Sequence, residues 1–559
     1  MKTTPKTTGL RYWMLRVLQE CEHVAADFSA DPVHDLRVSL RRCRSLADGM
    51  IAMDPDRDWK AMKKAGKRLF QRLGALRDVQ IMMEWIEKLH PVPASVDAGD
   101  SPALPPEAEN SEISAEAAPS TESATTDSGD PAAHLLLEIL KGRETEQKRE
   151  ARAALEEFDR KQWRQWSRSL PLRAARIRPG SAVFKHLALE RWTAARELHV
   201  RALRNRSQVA FHTLRIGIKR FRYIVENFLP VEHKAWSNDL KHMQDLLGEV
   251  HDLDVLWATA LACHVFPDEA SRKTWHAQIL EERTSRIDEY RAKTVGPDSL
   301  WTAWRAGLPQ GRQIEAMATL RMKLWAKALD PDFAHSERVA RFALELYDGL
   351  LATGLLQLTE SAEARSTLQI AALLHDVGKS EGNKGHHKTS FELIRSHSNP
   401  LGWKPEYLQR AAIIARFHGG TLPTRSHKLL RDLLPDEQRI TIQLAAILRL
   451  ANAFDAAHDG HISRVKIENT STGKSRTNGF LRKPAKMPPN QALVIEAEGF
   501  VAGSATAQAV AAERYLLETV LRRPVVVKAM KSAGPQRVAV EPKLALRSPK
   551  ILSGSERLA

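Results

Sequence analysis

Val33-His34-Asp35-Leu36-Arg37-Val38-Ser39-Leu40-Arg41-Arg42-Cys43-Arg44 and Phe211-His212-Thr213-Leu214-Arg215-Ile216-Gly217-Ile218-Lys219-Arg220-Phe221-Arg222 are one frame written twice. In each, a histidine is followed by bases three, seven, eight and ten residues on, and by apolar residues two, six and nine residues on. At about 100° per residue this spacing predicts an amphipathic helix in both copies. His34, Arg37, Arg41 and Arg44 fall on one side, with Leu36, Leu40 and Cys43 opposite. His212, Arg215, Lys219 and Arg222 repeat the arrangement against Leu214, Ile218 and Phe221. A charge row can be no more than a solvated helix face. A face built twice to one plan points instead to a ligand, because solubility needs no fixed spacing. The two faces are expected to line one groove for something long and polyanionic.

A second element repeats downstream of each block. Leu73-Gly74-Ala75-Leu76-Arg77-Asp78 follows a basic run that includes Lys60, Lys63, Lys64, Lys67 and Arg68. Leu247-Gly248-Glu249-Val250-His251-Asp252 follows Lys241 and His242. Two copies of a basic helix with a partner helix imply a duplicated helical bundle. Lys63 and Lys67 would extend the groove.

The rest of the chain sets bounds on this reading. At 559 residues it is too long for one ordinary core. Its net charge of +16 favours anionic partners: nucleic acid, anionic lipid or polyphosphate. Cys21, Cys43 and Cys263 are scattered and form no CxxC pair, so neither a disulfide framework nor a thiolate metal site is expected. There is no apolar stretch of the roughly 20 residues a membrane helix needs, and no secretory h-region. The expectation is a soluble, cytoplasmic protein without a membrane partner.

Residues 91–133 are rich in Pro, Ala, Ser and acid and contain no Lys or Arg. That composition predicts a disordered acidic insertion. It reads either as a solvated insertion or as an internal mimic of an anionic ligand. The pattern loosens again at 294–312, which suggests a domain boundary there. A second helical domain should follow. It would end in a small α+β segment, with strands at Val465–Ile467, Leu493–Glu496 and Val525–Val527 and a helix at Ala505–Leu521. Residues 531–559 are Pro-, Ser- and base-rich and are expected to be loose.

Guanidinium forks suit bidentate phosphate contact, and lysine adds point charge. Beside phosphate, the histidines could gain charge near neutral pH. Binders of single-stranded nucleic acid interleave aromatics for stacking. Here aromatics make up 6% of the chain, and Phe221 and Tyr223 are expected to lie off the basic face. A ligand with phosphates and no bases is therefore favoured over nucleic acid.

The doubled blocks, over about residues 8–295, resemble the CHAD family, the conserved-histidine α-helical domain. The resemblance implies a duplicated helical bundle whose basic groove binds inorganic polyphosphate. It carries that role onto His34, Arg37, Arg41, Arg42, Arg44, His212, Arg215, Lys219, Arg220 and Arg222. The acidic insertion is not part of that family's core.

The second half holds three further segments: Phe333-Ala334-His335-Ser336-Glu337-Arg338, Leu373-Leu374-His375-Asp376-Val377-Gly378-Lys379 and Leu450-Ala451-Asn452-Ala453-Phe454-Asp455. A histidine, an adjacent His-Asp pair and a distant Asp can converge on one metal. The bland alternative is buried structural His and Asp. Nitrogen and oxygen donors without thiolate suit Mn, Fe, Mg or Zn. Polar groups ending the apolar run at His375-Asp376 would be costly to bury unpaired. His386, His387 and His418 could complete a second site, with His387 and His418 the stronger choices. Asp376 is the expected bridge, and Lys379 could steady a phosphate oxygen. Two ions would clamp a phosphate, activate a water and offset leaving-group charge.

This half, over about 313–530, resembles the HD phosphohydrolase superfamily. More narrowly, it is similar to the C-terminal HD-type domain of the exopolyphosphatase and guanosine pentaphosphate phosphohydrolase family. The similarity rests on His387-Lys388-Thr389-Ser390, Arg416-Phe417-His418, Ile447 through Asp455, and the tail around Ala511–Glu518 and Arg522–Val527. His387-Lys388-Thr389-Ser390 departs from that family's His-x-His-Ser. The actin-like domains that carry that family's polyphosphate hydrolysis are also missing, and the helical bundle stands in their place.

The expected protein is mainly α. A CHAD-like bundle (1–90 and 134–300) is followed by an HD-type domain (313–530). It would hold inorganic polyphosphate and hydrolyse a phosphoanhydride or phosphoester with a divalent metal held by His335, His375, Asp376, His387, His418 and Asp455. The substrate would be polyphosphate, a guanosine polyphosphate or another nucleotide. The rival expectation is a protein of polyphosphate granules whose HD domain senses or scaffolds without turnover.

Overall fold

Leu, Ala, Val and Ile recur at helical spacing through most of the chain, and helices result. A computed structural model describes residues 9–90, 130–356, 361–468 and 491–530. Among these are seventeen α-helices and one three-stranded sheet, so the fold is mainly α. No described helix is long and apolar enough to cross a membrane. The expected insertion at 91–133 lies outside the described residues up to 129. Asp130 onward is helical: its carboxylate accepts from the Ala132 and Ala133 amides and caps the next helix. The tail at 531–559 lies outside the described residues.

The chain divides into two compact units. The first runs to Pro331 and also includes Val377–Asn383 and Ser396–Leu408. It opens with α1 (Leu10–Ala26), α2 (Ala30–Ile51), α3 (Arg57–Leu89), α4 (Pro131–Glu156) and α5 (Arg160–Ala174). Then come α6 (Ala182–Asn205), α7 (Gln208–Phe228), α8 (Pro230–Ala262) and α9 (Glu269–Thr294). The duplication is visible in the packing. Helix α1 packs on α2, α2 on α3 and α3 on α4, while α6 packs on α7, α7 on α8 and α8 on α9. The copies meet through α2 against α7 and α3 against α8. Both α3 and α8 are 33 residues long.

The apolar stripes do this work. On α2, Val33, Leu36, Leu40, Cys43, Ala47 and Met50 are buried; on α7, Phe211, Leu214, Ile218, Phe221 and Val225 are. Ser207 caps α7 by accepting from the Ala210 amide. Gly49 allows α2 to meet the end of α7, since a Cβ there would overlap the Phe228 ring. The loosened stretch at 294–312 is not where the units part. Helix α10 (Leu300–Ala306) buries Trp301 and Trp304 in the bundle core, and α11 (Arg312–Leu329) packs on α6. Arg321 of α11, almost fully buried, pairs with Glu190 at 2.6 Å.

The second unit comprises Asp332–Asp376, Lys384–Arg395 and the chain from Gln409. Helix α12 (Phe333–Ala352) packs on α13 (Ser361–Leu374). After them come α14 (His386–Ser396), α15 (Pro405–Arg416), α16 (Pro435–Ala453) and α17 (Ala505–Leu521). Helix α16 packs against α12, α13 and α17. The strands are β1 (Arg464–Ile467), β2 (Leu493–Glu498) and β3 (Val525–Ala529), close to the expected positions. The sheet order is β1-β2-β3. Strands β1 and β2 are antiparallel, with Val465 opposite Ala497; β2 and β3 are parallel, with Leu493 opposite Val525. Their parallel link is the crossover helix α17. The Val465 amide donates to Glu345 at 2.9 Å and ties the sheet to α12.

Candidate functional site

The second unit gathers four of its histidines around one carboxylate. His375 directly follows α13, and His418 lies just beyond α15. Each imidazole turns back on its helix end. His375 Nδ1 donates to the Ala372 carbonyl at 2.7 Å, and His418 Nδ1 donates to the Ala415 carbonyl at 2.7 Å. These bonds satisfy carbonyls that a helix C-terminus leaves unpaired. They also fix both tautomers, so Nε2 carries the lone pair and faces inward. His335, on the first turn of α12, is set the same way by a carboxylate: its Nδ1 donates to Asp455 Oδ2 at 2.7 Å.

Asp376 sits where these rings converge. Its Oδ2 is 3.4 Å from His375 Nε2 and 3.8 Å from His335 Nε2. Its Oδ1 is 3.2 Å from His386 Nε2 and 3.6 Å from His418 Nε2. Two donor groups result, His335/His375/Asp376 and Asp376/His386/His418, and each is compact enough to hold a metal ion. His335, His375, Asp376 and His418 are buried, whereas His386 is only partly so. Burial, and then the neighbouring His375, pushes the His418 imidazole well below its ordinary pKa. The donor set suits a metal: imidazoles around a shared carboxylate, three of which (His335, His375 and His418) have their other nitrogen held by a carbonyl or carboxylate.

Two expectations about this cluster change. His387 does not join it. His387 rests against Gly420, where a Cβ would lie 3.0 Å from its Nε2, and His386 takes the place beside Asp376. Successive residues on a helix point about 100° apart, so only one of an adjacent pair can face the cluster. Asp455 is not in either donor group. Its carboxylate accepts from His335 and from Arg338, at 2.9 Å (Nε) and 2.8 Å (NH2). Burial works against the charged Asp455, but these bonds outweigh it and hold its pKa below the usual carboxylate value. Lys379 is half-buried in the 3₁₀ turn Val377–Ser380 that follows Asp376.

Residues without an assigned role also meet here. The Asn452 carboxamide lies 2.9 Å from His335 Nε2. His458 stacks on His335 with ring centroids 3.9 Å apart, and its Nδ1 donates to Asp332 at 2.7 Å. The three-residue spacings His335–Arg338 and Asn452–Asp455 were the available signals, because they put each pair on one side of a helical segment.

In the first unit the basic blocks face each other. Arg37 NH1 donates to the Leu73 and Gly74 carbonyls, each at 3.1 Å. A Cβ on Gly74 would lie 3.9 Å from Arg37 NH2, and one on Gly248 would lie 4.0 Å from Arg215 Nε. The glycine of each Leu-Gly-x-x-x-Asp element thus lies where the arginine of its basic block meets the partner helix. The copies interact as well: Arg41 of α2 lies over the Tyr223 ring of α7, 5.6 Å from its centroid. Arg37 and Arg44 lie over Phe70 at 5.8 and 4.7 Å. Tyr223, expected off the basic face, is therefore in the wall, with its ring taken up by a guanidinium.

Charge crowding records the same convergence. Burial lowers the Arg37 pKa, with Asp78 opposing and Arg41, Arg77 and Arg215 adding to the drop. Burial, then Arg215 and Arg41, brings Lys219 down to about 7. Burial raises Asp252 to about 6, against the pull of Arg215. Asp78 is also raised by burial, against Arg37, Arg215 and Lys219. His34 is lowered by burial, then by Arg41 and Arg77. His212 Nδ1 lies 3.2 Å from His251 Nδ1, and burial and Arg215 lower both rings, His251 to about 4. These histidine shifts all favour the neutral imidazole. The buried donors Arg41 Nε, Arg44 NH1 and Arg215 Nε have no acceptor among the described residues.

Not every proposed base belongs to this face. Arg42 pairs with Glu226 and lies over Trp13 at 5.2 Å. Eight residues past the histidine is about 80° around the helix, and Arg220, the same step past His212, is exposed. Lys63 pairs with Asp48, Lys67 is exposed, and Arg222 is half-buried.

Comparison with known families matches both halves. Residues 14–261 match the CHAD domain, and residues 322–495 match domain III of the Ppx/GppA phosphatases. No curated protein matches the chain.

Proposed function

We propose that this chain, a CHAD domain followed by a Ppx/GppA-type domain III, binds inorganic polyphosphate in its first unit and acts in its second as a metal-dependent phosphohydrolase of the HD type. The groove reading is carried by the unpaired buried donors of Arg41, Arg44 and Arg215, set beside Arg37 and Lys219. A buried guanidinium N–H left without an acceptor is costly, and phosphate oxygens supply acceptors at both copies. Tyr223 and Phe70 each carry a guanidinium over the ring, which competes with a base for stacking there. That favours polyphosphate over nucleic acid.

The hydrolytic reading is carried by Asp376, which faces two imidazoles on each of its oxygens. Two divalent ions, one at His335/His375/Asp376 and one at Asp376/His386/His418, would supply Lewis-acid charge to a phosphoryl group. The protein's own part is to hold this site in register. Ala372, Ala415 and Asp455 lock the tautomers of His375, His418 and His335. Arg338 keeps Asp455 ionised. Substrates of this class are polyphosphate, guanosine polyphosphates and other nucleotides; polyphosphate is the one the first unit would gather.

The test is phosphate release from polyphosphate and from guanosine tetra- and pentaphosphate, with metal analysis, comparing the protein with Asp376→Ala. Release that needs metal and is lost in Asp376→Ala supports the reading. Bound polyphosphate without metal or release from any substrate would instead mark a binding protein whose second unit senses or scaffolds. Displacement of polyphosphate by DNA or RNA at equal phosphate concentration would overturn the groove assignment.

A further inference from the structure

Arg449 lies in the apolar run Ile447-Leu448-Arg449-Leu450-Ala451 of α16 and is 5% exposed. A buried cation needs full pairing, and this one has it from two separate parts of the unit. Its NH1 donates to the Phe417 carbonyl at 3.0 Å and to the Gly420 carbonyl at 3.2 Å. Its Nε and NH2 make a fork on Glu513 of α17, at 2.7 and 3.2 Å. The two carbonyls bracket His418. Gly420 is also the residue against which His387 rests, and its backbone is left-handed at φ 72°. Three and six residues beyond Arg449, Asn452 and Asp455 reach His335. The end of α16 thus touches both halves of the cluster, and Arg449 serves the His418 half.

Resting on the two-metal reading above, we propose that Arg449 and Glu513 are a positioning pair that fixes the turn bearing His418 and so sets ion affinity at Asp376/His386/His418. Neither residue belongs to a donor group. Glu513 lies beyond the segment that matches domain III, so the α+β end of the chain supports the site from outside that match. The fork orients the guanidinium, the guanidinium holds two carbonyls, and the carbonyls hold the turn. A lysine could keep the charge but not the fork.

The test is Mn²⁺ titration of the full chain followed by electron paramagnetic resonance, which distinguishes a lone Mn²⁺ from a coupled pair. The wild type should bind two ions, and His418→Ala should lose the coupled signal. Glu513→Gln, at a one-third exposed position that should still fold, should bind its first ion as the wild type does. Its second should bind about tenfold more weakly, as typical for loss of an outer partner. Arg449→Lys should behave alike. Folded Glu513→Gln protein with both affinities unchanged, or with both weakened equally, overturns the proposal. A wild type that binds no Mn²⁺ overturns the two-metal reading itself, and that trace separates the two failures.

Discussion

His386 Nε2 lies 3.2 Å from Asp376 Oδ1, while its neighbour His387 packs against Gly420. One step along α14 separates a residue of the cluster from one that braces its wall. His386→Ala should therefore lower metal-dependent phosphate release roughly 100-fold or more, above the 10–100-fold typical of outer partners. His387→Ala should cost about tenfold at most. Steady-state rates at saturating metal distinguish them, and the reverse order would put His387 in the cluster.

Gly420 is the second point of leverage. Its φ of 72° is strained for any residue with a Cβ, and that Cβ would sit 3.0 Å from His387 Nε2. Gly420→Ala should destabilise the second unit by about 1 kcal/mol. It should also lower phosphate release, because His387 and the His418 turn must shift. Thermal unfolding and rate, measured together, check both effects.

The groove should bind polyphosphate more weakly as pH rises. Burial, aided by Arg215, brings Lys219 to about 7, so a positive charge is lost as pH passes that value. Burial raises Asp252 to about 6, so a negative charge appears as pH passes that value. Both changes oppose an anion. If bound phosphate raises the Lys219 pKa by about one unit, affinity falls about tenfold across its titration. Lys219→Arg should flatten the upper part of the profile and Asp252→Asn the lower. Calorimetry in buffers of different ionisation enthalpy would detect the accompanying proton uptake. A flat affinity profile from about pH 5 to about pH 8 would contradict this assignment.

The bundle has its own anchor. Asp54, after α2, accepts a two-pronged bond from Arg173 of α5 at 2.6 and 2.7 Å and a third from Trp59 Nε1 at 3.0 Å. Burial disfavours the carboxylate, but Arg173 and Trp59 outweigh it and lower its pKa. The stability it adds is therefore complete above about pH 4 and lost as pH falls through the folded value. Asp54→Ala should cost about 2 kcal/mol at neutral pH, with a smaller penalty in acid. Denaturant unfolding at two pH values tests this.

Much of this was legible in the chain. Apolar spacing gave α2 and α7, their shared frame gave the duplication, and the strands expected in the α+β segment coincide with β1, β2 and β3 within a few residues. Asp376 and its adjacent His375 were legible because an apolar run ends in two polar groups. Less visible was the extent of the bundle. Around 294–312 the pattern loosens, yet Trp301 and Trp304 are core residues there, and α11 belongs to the same unit. Short helices with bulky indoles bury surface without a long periodic stripe.

Local periodicity was enough for the helices and the doubled basic faces, since each depends on neighbours within a turn or two. Which of His386 and His387 meets Asp376, whether Asp455 faces the cluster or His335, and whether Arg42 faces the groove or Glu226 depended on long-range packing. Spacing along one helix gives a direction about its own axis. The partner it meets there depends on how a second helix, distant in sequence, is docked, and the paired glycines Gly74 and Gly248 show their purpose only once Arg37 and Arg215 lie against them.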